Sequence, residues 1–247
     1  MQVVYVVDNR FSQFAEKHET VFTVSSFIDL VSKEPNGERL NVILGQGVDQ
    51  AGLQTLIDRY AATPKMIEIV FGAKRPKATY FDAHKHKSRN IVVSLAERVS
   101  DQEFLMDLYF DGDNEFFDDH MSGQHIQGMG ITEAGRQAFL AVTEQYCLPA
   151  GKRHYFVIHR METEFKAFVF PIDAYARYFI VSENRGSKGN VSIEARIEIW
   201  QAEVLCAVCQ VSFTAFEVSW INNREHAAAQ NVLSARTEQL TRTLLAA

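Results

Sequence analysis

Between residues 114 and 138 the chain reads NEFFDDHMSGQHIQGMGITEAGRQA, and two of its side chains, His120 and Glu133, are of the kinds that move protons. An imidazole ionises near pH 6.5 when unperturbed, so it can take or give a proton at neutral pH. Phe116 and Phe117 anchor a loop into a core, His120 sits on that loop with Gly123 nearby, and Gly128 opens a helix. The first amides of a helix have no partner within it and can polarise a carbonyl or hold an anion. Glu133 lies about one and a half turns inside, and Arg136 and Gln137, three and four residues on, share its face. A loop imidazole and a helix carboxylate beside free amides can perform general acid–base chemistry on a thioester. His120 and Glu133 are therefore the candidate catalytic pair. Arg136 is either an ion-pair partner of Glu133 or a clamp for a substrate carboxylate or phosphate. His125 positions the loop, and Gln127 is placed to donate to a carbonyl.

Positioning that pair requires a helix held on several sides. Residues 128–146 have helical spacing, and Gly130, Ala134, Gly135, Ala138 and Ala141 are small enough for strands to approach closely. A helix lying on a flat sheet needs only one apolar stripe. The flanking sequence supplies strands. Ile91–Val93 begins one and Phe104–Phe110 forms another. Tyr155–His159, Phe165–Phe170 and Tyr178–Val181 follow, then a Gly-, Ser- and Asn-rich turn at Asn184–Asn190. Val191–Trp200 and Val204–Phe216 alternate as a long hairpin does. Residues 226–245 close the chain as an Ala- and Leu-rich helix. One long helix followed by long antiparallel strands predicts a sheet curled around that helix over about residues 80–225.

Residues 1–72 read differently. Val3–Val7, Thr20–Val24, Leu40–Leu44 and Met66–Phe71 are short strands alternating with helical segments. Asp49 is a good N-cap for the helix carrying Leu53, Leu56, Ile57 and Tyr60. This predicts a small Rossmann-like α/β unit, a parallel sheet with helices on both faces, over residues 1–78, with 79–247 as the second domain. Gly45-Gln46-Gly47 lacks the third glycine of a dinucleotide loop, because Gln50 stands in its place, and reads as a tight turn. Cys206 and Cys209 point to opposite sides of a strand, so they read as small core residues and not as a metal or disulfide pair.

The 247 residues are 47% hydrophobic, enough for a sizeable core, and the net charge of −6 argues against nucleic-acid binding. Three cysteines, no basic leader and no run of about 20 apolar residues point to a cytoplasmic protein without a membrane span. Six of the 25 basic residues fall between Lys74 and Arg89. The run reads as an inter-domain approach, or as a patch where Lys85, Lys87 and Arg89 receive an acidic partner.

At residues 114–138 the chain resembles the A-factor biosynthesis (AfsA-type) hotdog family, through GQHIQGM, EAGRQA and the Arg136-Gln137 pair. His86-Lys87 followed by Asn90-Ile91-Val92-Val93 is similar to that family's opening. It resembles the β-hydroxyacyl carrier-protein dehydratases more distantly: the Phe-Phe loop, His120, Gly123, Gly128 and Glu133-Ala134 match, but Gln127 stands where those enzymes have proline. The resemblance covers roughly residues 84–220 and implies an α+β hotdog domain. Members of the A-factor family usually carry two hotdog repeats. Here the small α/β unit replaces the first, which implies a homodimer with the site at or near the subunit interface.

The resemblance further implies transfer of a β-ketoacyl group from acyl carrier protein, or from a CoA thioester, to the hydroxyl of a small phosphorylated acceptor such as dihydroxyacetone phosphate. His120 would be the base, and the Gly128 and Met129 amides would hold the thioester oxyanion. Glu133 would orient His120 or the acceptor, Arg136 could take the phosphate, and Gln137 belongs to the substrate-binding set. No cofactor or metal is implied. A dehydratase or thioesterase using the same pair is the enzymatic alternative, and an acyl-binding or assembly subunit the non-enzymatic one.

Overall fold

A computed structural model of the chain describes residues 2–33, 39–70, 75–118, 122–149, 154–186 and 189–245. The β-branched run at the start forms β1 (Gln2–Val7). It pairs in parallel with β2 (Val21–Thr23) on one side and β3 (Leu40–Leu44) on the other. The short β4 (Ile67–Ile69) completes a sheet in the order β2-β1-β3-β4. The connections are a 3₁₀ turn (Asn9–Phe11) with α1 (Ser12–Ala15), then α2 (Val24–Lys33), then α3 (Gln50–Tyr60). Phe27 and Val31 of α2 and Leu53 and Ile57 of α3 bury Val4, Val6, Val42 and Leu44 in one small core. The Asp49 carboxylate accepts from the Gly52 amide at 2.9 Å, the N-cap the sequence predicts. On the sheet's other face Val7 and Val21, together with Phe11 and Phe14, join the core of the second unit. A strand buried on both faces needs a continuous apolar run, which β1 has.

The second unit is a six-stranded antiparallel sheet in the order β5-β6-β8-β9-β10-β7. In chain order its elements are α4 (Tyr80–Ala83), β5 (Glu97–Arg98), β6 (Glu103–Asp107), α5 (Glu115–Asp118) and α6 (Gly128–Val142). Then come β7 (His154–Phe165), β8 (Tyr175–Arg185), β9 (Val191–Gln201), β10 (Val204–Glu217) and α7 (Val218–Leu245). Along β9, Val191, Ile193, Ala195, Ile197 and Ile199 point inward while Glu194, Arg196 and Glu198 point out. That period-two alternation lets one face bury against a helix. The helix is α6, wrapped as expected: Ile131, Ala134, Ala138, Phe139, Leu140, Ala141 and Val142 are all buried. Phe139 stacks on Phe213 with centroids 4.5 Å apart. A Cβ on Gly135 would meet Cys209 of β10 at 3.1 Å, so strand and helix approach closely there because that residue has no side chain. Burying each large apolar side chain contributes about 1.5–3 kcal/mol. The arrangement is a hotdog: a long helix enclosed by a curled antiparallel sheet, preceded by a separate parallel-sheet unit.

Two segments depart from the predicted strands. Residues 91–95 are extended but form no long ladder. They bond alternately to two short segments: Ala78 N–H and Leu95 N–H link them to 76–78, and Tyr109 N–H links Val92 to the end of β6. The aromatic run Phe165–Phe170 is not a strand of its own. β7 ends at Phe165, the Lys166 and Ala167 amides both donate to Cys206 O, and Val169 O accepts from Ile126. Its pattern reads as strand-forming, yet its first amides turn back onto β10, and it lines a cleft instead.

Among the described residues the two sheets share one isolated bridge, Gly47 to Asp111. Gln46, buried in the turn after β3, joins them more firmly. Its Oε1 accepts from Phe110 N at 2.8 Å, and its Nε2 donates to Leu108 O and Ile172 O at 3.3 and 3.1 Å. Gly45 is required beside it, since a Cβ there would stand 2.4 Å from Pro171 O. Gly45-Gln46-Gly47 is thus a tight turn, as expected, and also the link between the units. Among the described residues no helix is long and apolar enough to cross a membrane.

Candidate active site

Helix α6 begins at Gly128 with Gln127 as N-cap, and Gln127 makes no side-chain capping bond. Its Nε2 is buried without a hydrogen-bond partner. The start of the helix is therefore not closed by its own cap. The Phe165 ring packs on Gly128, where a Cβ would be 3.0 Å from the ring, so glycine is what allows this approach. Met129, on the outer side of the first turn, is 65% exposed.

One and a half turns on, Glu133 sits in a polar cluster. Arg136 grips it with two bonds, Nε to Oε2 at 2.8 Å and Nη2 to Oε1 at 2.9 Å. Gln137 Nε2 donates to Oε1 at 2.8 Å, and Lys85 Nζ lies 3.2 Å from the same oxygen. Burial alone would raise the Glu133 pKa. The Arg136 guanidinium, the Gln137 amide and the Lys85 ammonium outweigh it and hold the carboxyl below its ordinary value. Glu133 is thus a stable anion, able to accept hydrogen bonds but poorly suited to donate a proton at neutral pH. Gln137 is fully buried and spends its amide locally, donating also to Asn90 O and accepting from Val92 N, both at 2.8 Å.

On another side of the same helix start lies an apolar cleft of about 690 Å³. Gly128, Ile131, Phe165, Phe168, Phe170 and Cys206 are among its walls, with His125 at one side. The His125 ring packs 4.6 Å from Phe168 while its Nδ1 lies 3.2 Å from Ser122 Oγ. A cleft of this size suits a drug-sized apolar ligand or an acyl chain longer than a few carbons. His120, the expected proton-transfer partner, lies outside the described residues. The loop on either side is anchored as predicted: Phe117 packs edge-on to Phe11 at 5.5 Å, and Phe14 N–H donates to Gly123 O at 3.0 Å.

The basic run is not presented as one block. Arg75 pairs with Glu97 and Asp107, Lys77 with Asp111, and Arg89 with Asp113 at 3.4 Å. Lys85, expected at a docking surface, turns inward to Glu115 at 2.8 Å and to Glu133. Lys87 is exposed. The structure brings Glu133, Arg136, Gln137 and Lys85 together, sets Gly128, Gln127 and His125 around the helix start, and leaves Lys87 and Arg89 apart. Sequence reasoning missed Asn90 and Glu115, which support the cluster, and the aromatic cleft wall. The signal for Asn90 was its place in the Asn-Ile-Val-Val opening. Nothing in the local pattern links Lys85 to a carboxylate 48 positions away.

A second, more polar cleft of about 1110 Å³ opens where β1 and β3 end against residues 109–113. The start of α3 there is occupied by the carboxylate of Asp49, and Asp8, Asp111 and Asp113 add negative charge, which opposes phosphate binding. Cys206 and Cys209 are buried and free, and burial raises both thiol pKa values, in keeping with core residues. Among the described residues no three or more His, Cys, Asp or Glu side chains gather as metal ligands would.

Residues 82–217 match the A-factor biosynthesis hotdog domain. No curated protein matches the chain. Solved structures similar in chain path include a mutant thioesterase from Pseudomonas aeruginosa, at 10% identity and TM-score 0.37, covering 51% of this chain and 82% of that one. A thioesterase from Haemophilus influenzae aligns at 16% identity and TM-score 0.36, covering 50% and 78%. A mutant thioesterase from Staphylococcus aureus aligns at 13% identity and TM-score 0.37, covering 49% and 91%. The domain match spans more than half of the 247 residues, so this chain belongs to the A-factor biosynthesis hotdog family.

Proposed function

We propose that the protein processes acyl thioesters, transferring a β-ketoacyl group from an acyl carrier protein to the hydroxyl of a small phosphorylated acceptor. One observation carries this reading: the uncapped start of α6 lies between an apolar cleft and an ionised carboxylate. The acyl chain occupies the cleft, which brings the thioester carbonyl to the Gly128 and Met129 amides. His120 takes the proton from the acceptor hydroxyl, whose oxygen attacks the thioester carbon. The amides hold the oxyanion as the carbon–sulfur bond breaks, and the imidazolium returns its proton to the departing thiolate. Glu133, kept anionic, orients His120 or the acceptor and does not itself supply a proton. Arg136 gives Nε and Nη2 to Glu133 and leaves Nη1 to meet the phosphate. Gln127 donates its unpartnered amide to a substrate carbonyl. Gln137 acts on the substrate only through Glu133, and His125 borders the acyl chain. Lys87 and Arg89 contribute charge to the docking of the acidic carrier protein.

Intact-mass spectrometry of an acylated carrier protein, with and without dihydroxyacetone phosphate, tests the reading. Acceptor-dependent deacylation is the expected result. Deacylation without acceptor makes the protein a thioesterase, loss of water from a β-hydroxyacyl group makes it a dehydratase, and no change makes it a binding subunit. His120→Ala should lower turnover by about 10²–10⁴ while the circular dichroism stays native. Wild-type turnover in a folded His120→Ala protein removes the assignment.

A further inference from the structure

We propose that Lys85 is a positioning residue for the Glu133 carboxylate, fixing it against α5 through Glu115. The cluster is a closed ring. Glu133 Oε1 meets Lys85 Nζ at 3.2 Å, and Lys85 Nζ meets Glu115 Oε1 at 2.8 Å. Asn90 Nδ2 donates to Glu115 Oε2 at 2.7 Å, and Asn90 Oδ1 accepts from the Glu115 amide at 3.1 Å. Gln137 Nε2 closes the ring, donating both to Asn90 O and to Glu133 Oε1 at 2.8 Å. Four separate pieces of chain meet here: the segment after α4, the turn at Ser88–Asn90, α5 and α6.

The Lys85 and Glu133 side chains are 20% and 11% exposed, so this pair is less screened than one on the open surface. Arg136 alone would leave Glu133 tied only to its own helix. Lys85 is the cation that ties it to α5, which bears Phe116 and Phe117 and leads into the loop of the candidate site. Its second carboxylate also matters. Glu115 holds the ammonium in place and balances it, so the set Lys85, Arg136, Glu115 and Glu133 carries no net charge. Arg136 and Lys85 are the charges that act on Glu133, with Glu115 held on Lys85; Asn90 and Gln137 are neutral. A lysine given to carrier-protein docking would instead hold its ammonium in water.

Any catalytic consequence rests on the role proposed above for Glu133, but the ion pair does not, and the two can be tested apart. The first measurement is the carboxyl titration of Glu133 by ¹³C NMR in the full chain, for wild type, Lys85→Met, Lys85→Arg and Lys87→Met. The Glu133 midpoint should rise in Lys85→Met, return toward wild type in Lys85→Arg and stay put in Lys87→Met. If Lys85→Met does not fold, Lys85→Gln replaces it. An unmoved Glu133 midpoint in the folded Met or Gln variant overturns the proposal whatever the activity. The second measurement is the pH profile of carrier-protein deacylation. The acid limb should move to higher pH in Lys85→Met and be restored in Lys85→Arg. A raised midpoint with an unmoved acid limb keeps the positioning role and removes the catalytic role of Glu133. Slower carrier association with both an unchanged midpoint and an unchanged acid limb returns Lys85 to docking.

Discussion

Glu133 shows how a single residue's environment limits its chemistry. Burial favours its neutral form, while two cations and an amide favour the anion and prevail. A carboxyl whose pKa is depressed on folding stabilises the protein above its unfolded value, and that contribution is lost as pH falls through the folded value. Glu133→Gln keeps the shape but leaves Arg136 and Lys85 without their anion. It should cost about 1.5–3 kcal/mol at neutral pH, the range for hydrogen bonds to charged groups. The gap to wild type should close on acidification below the ordinary value of 4.5. Urea unfolding at several pH values checks this, and a gap that widens in acid contradicts it. The Glu133–Arg136–Gln137 part of the site was legible in sequence because residues three and four apart on a helix are neighbours. The Lys85–Glu133 contact was not, because it depends on where two distant segments come to rest.

Among the elements, α6 and the turn after β3 are the instructive pair. The small residues of α6 announced a wrapped helix, and the structure wraps it. The turn after β3 announced only a change of direction. Its buried Gln46 in fact satisfies three backbone groups of the second unit. Gln46→Ala leaves Phe110 N–H, Leu108 O and Ile172 O without that partner, and each unmet buried group costs about 1–3 kcal/mol. We expect Gln46→Ala to lower the unfolding free energy by at least the cost of one such group, measured by chemical denaturation. A change within error would mean that water replaces the amide. The same unit supports the site. Phe14 stacks on Phe170 of the cleft wall at 5.4 Å and binds Gly123 through its amide, so the parallel-sheet unit supports the candidate site at Gly123 and Phe170.

For the whole molecule, the open question is what covers the outer edge of β7. Among the described residues this twelve-residue strand pairs with β10 on one side only, and Tyr155, Ile158 and Phe165 along it are 40%, 41% and 55% exposed. A long open edge is a template for another strand. α7 adds to the unmet surface: beyond its buried Ile221 it is exposed, with Val232, Leu233, Leu240 and Leu244 open to solvent. A homodimer joined edge to edge would satisfy the strand under a two-fold axis. Light scattering at micromolar concentration should give twice the 28.0 kDa chain mass, and Ile158→Lys should shift the protein toward monomer. A wild-type monomer under those conditions refutes the expectation.

By itself the sequence determined the things that depend on local period and composition. These include the two units, a parallel-sheet one and a hotdog one, the helical span from Gly128, the N-cap at Asp49, and the cysteines as core residues. Each follows from steric and hydrogen-bonding rules that act over a few residues, so the pattern survives in one dimension. Tertiary structure alone decided which charges met. Of the five described cations between Arg75 and Arg89, four are paired with acids of the second unit 22 or more positions away, contacts that a run of basic residues does not disclose. It also decided that Phe165–Phe170 lines a cleft instead of adding a strand. Strand propensity says what a segment can do, but here the Lys166 and Ala167 amides both turn onto Cys206 O, and the Phe165, Phe168 and Phe170 rings line the cleft beside the helix start.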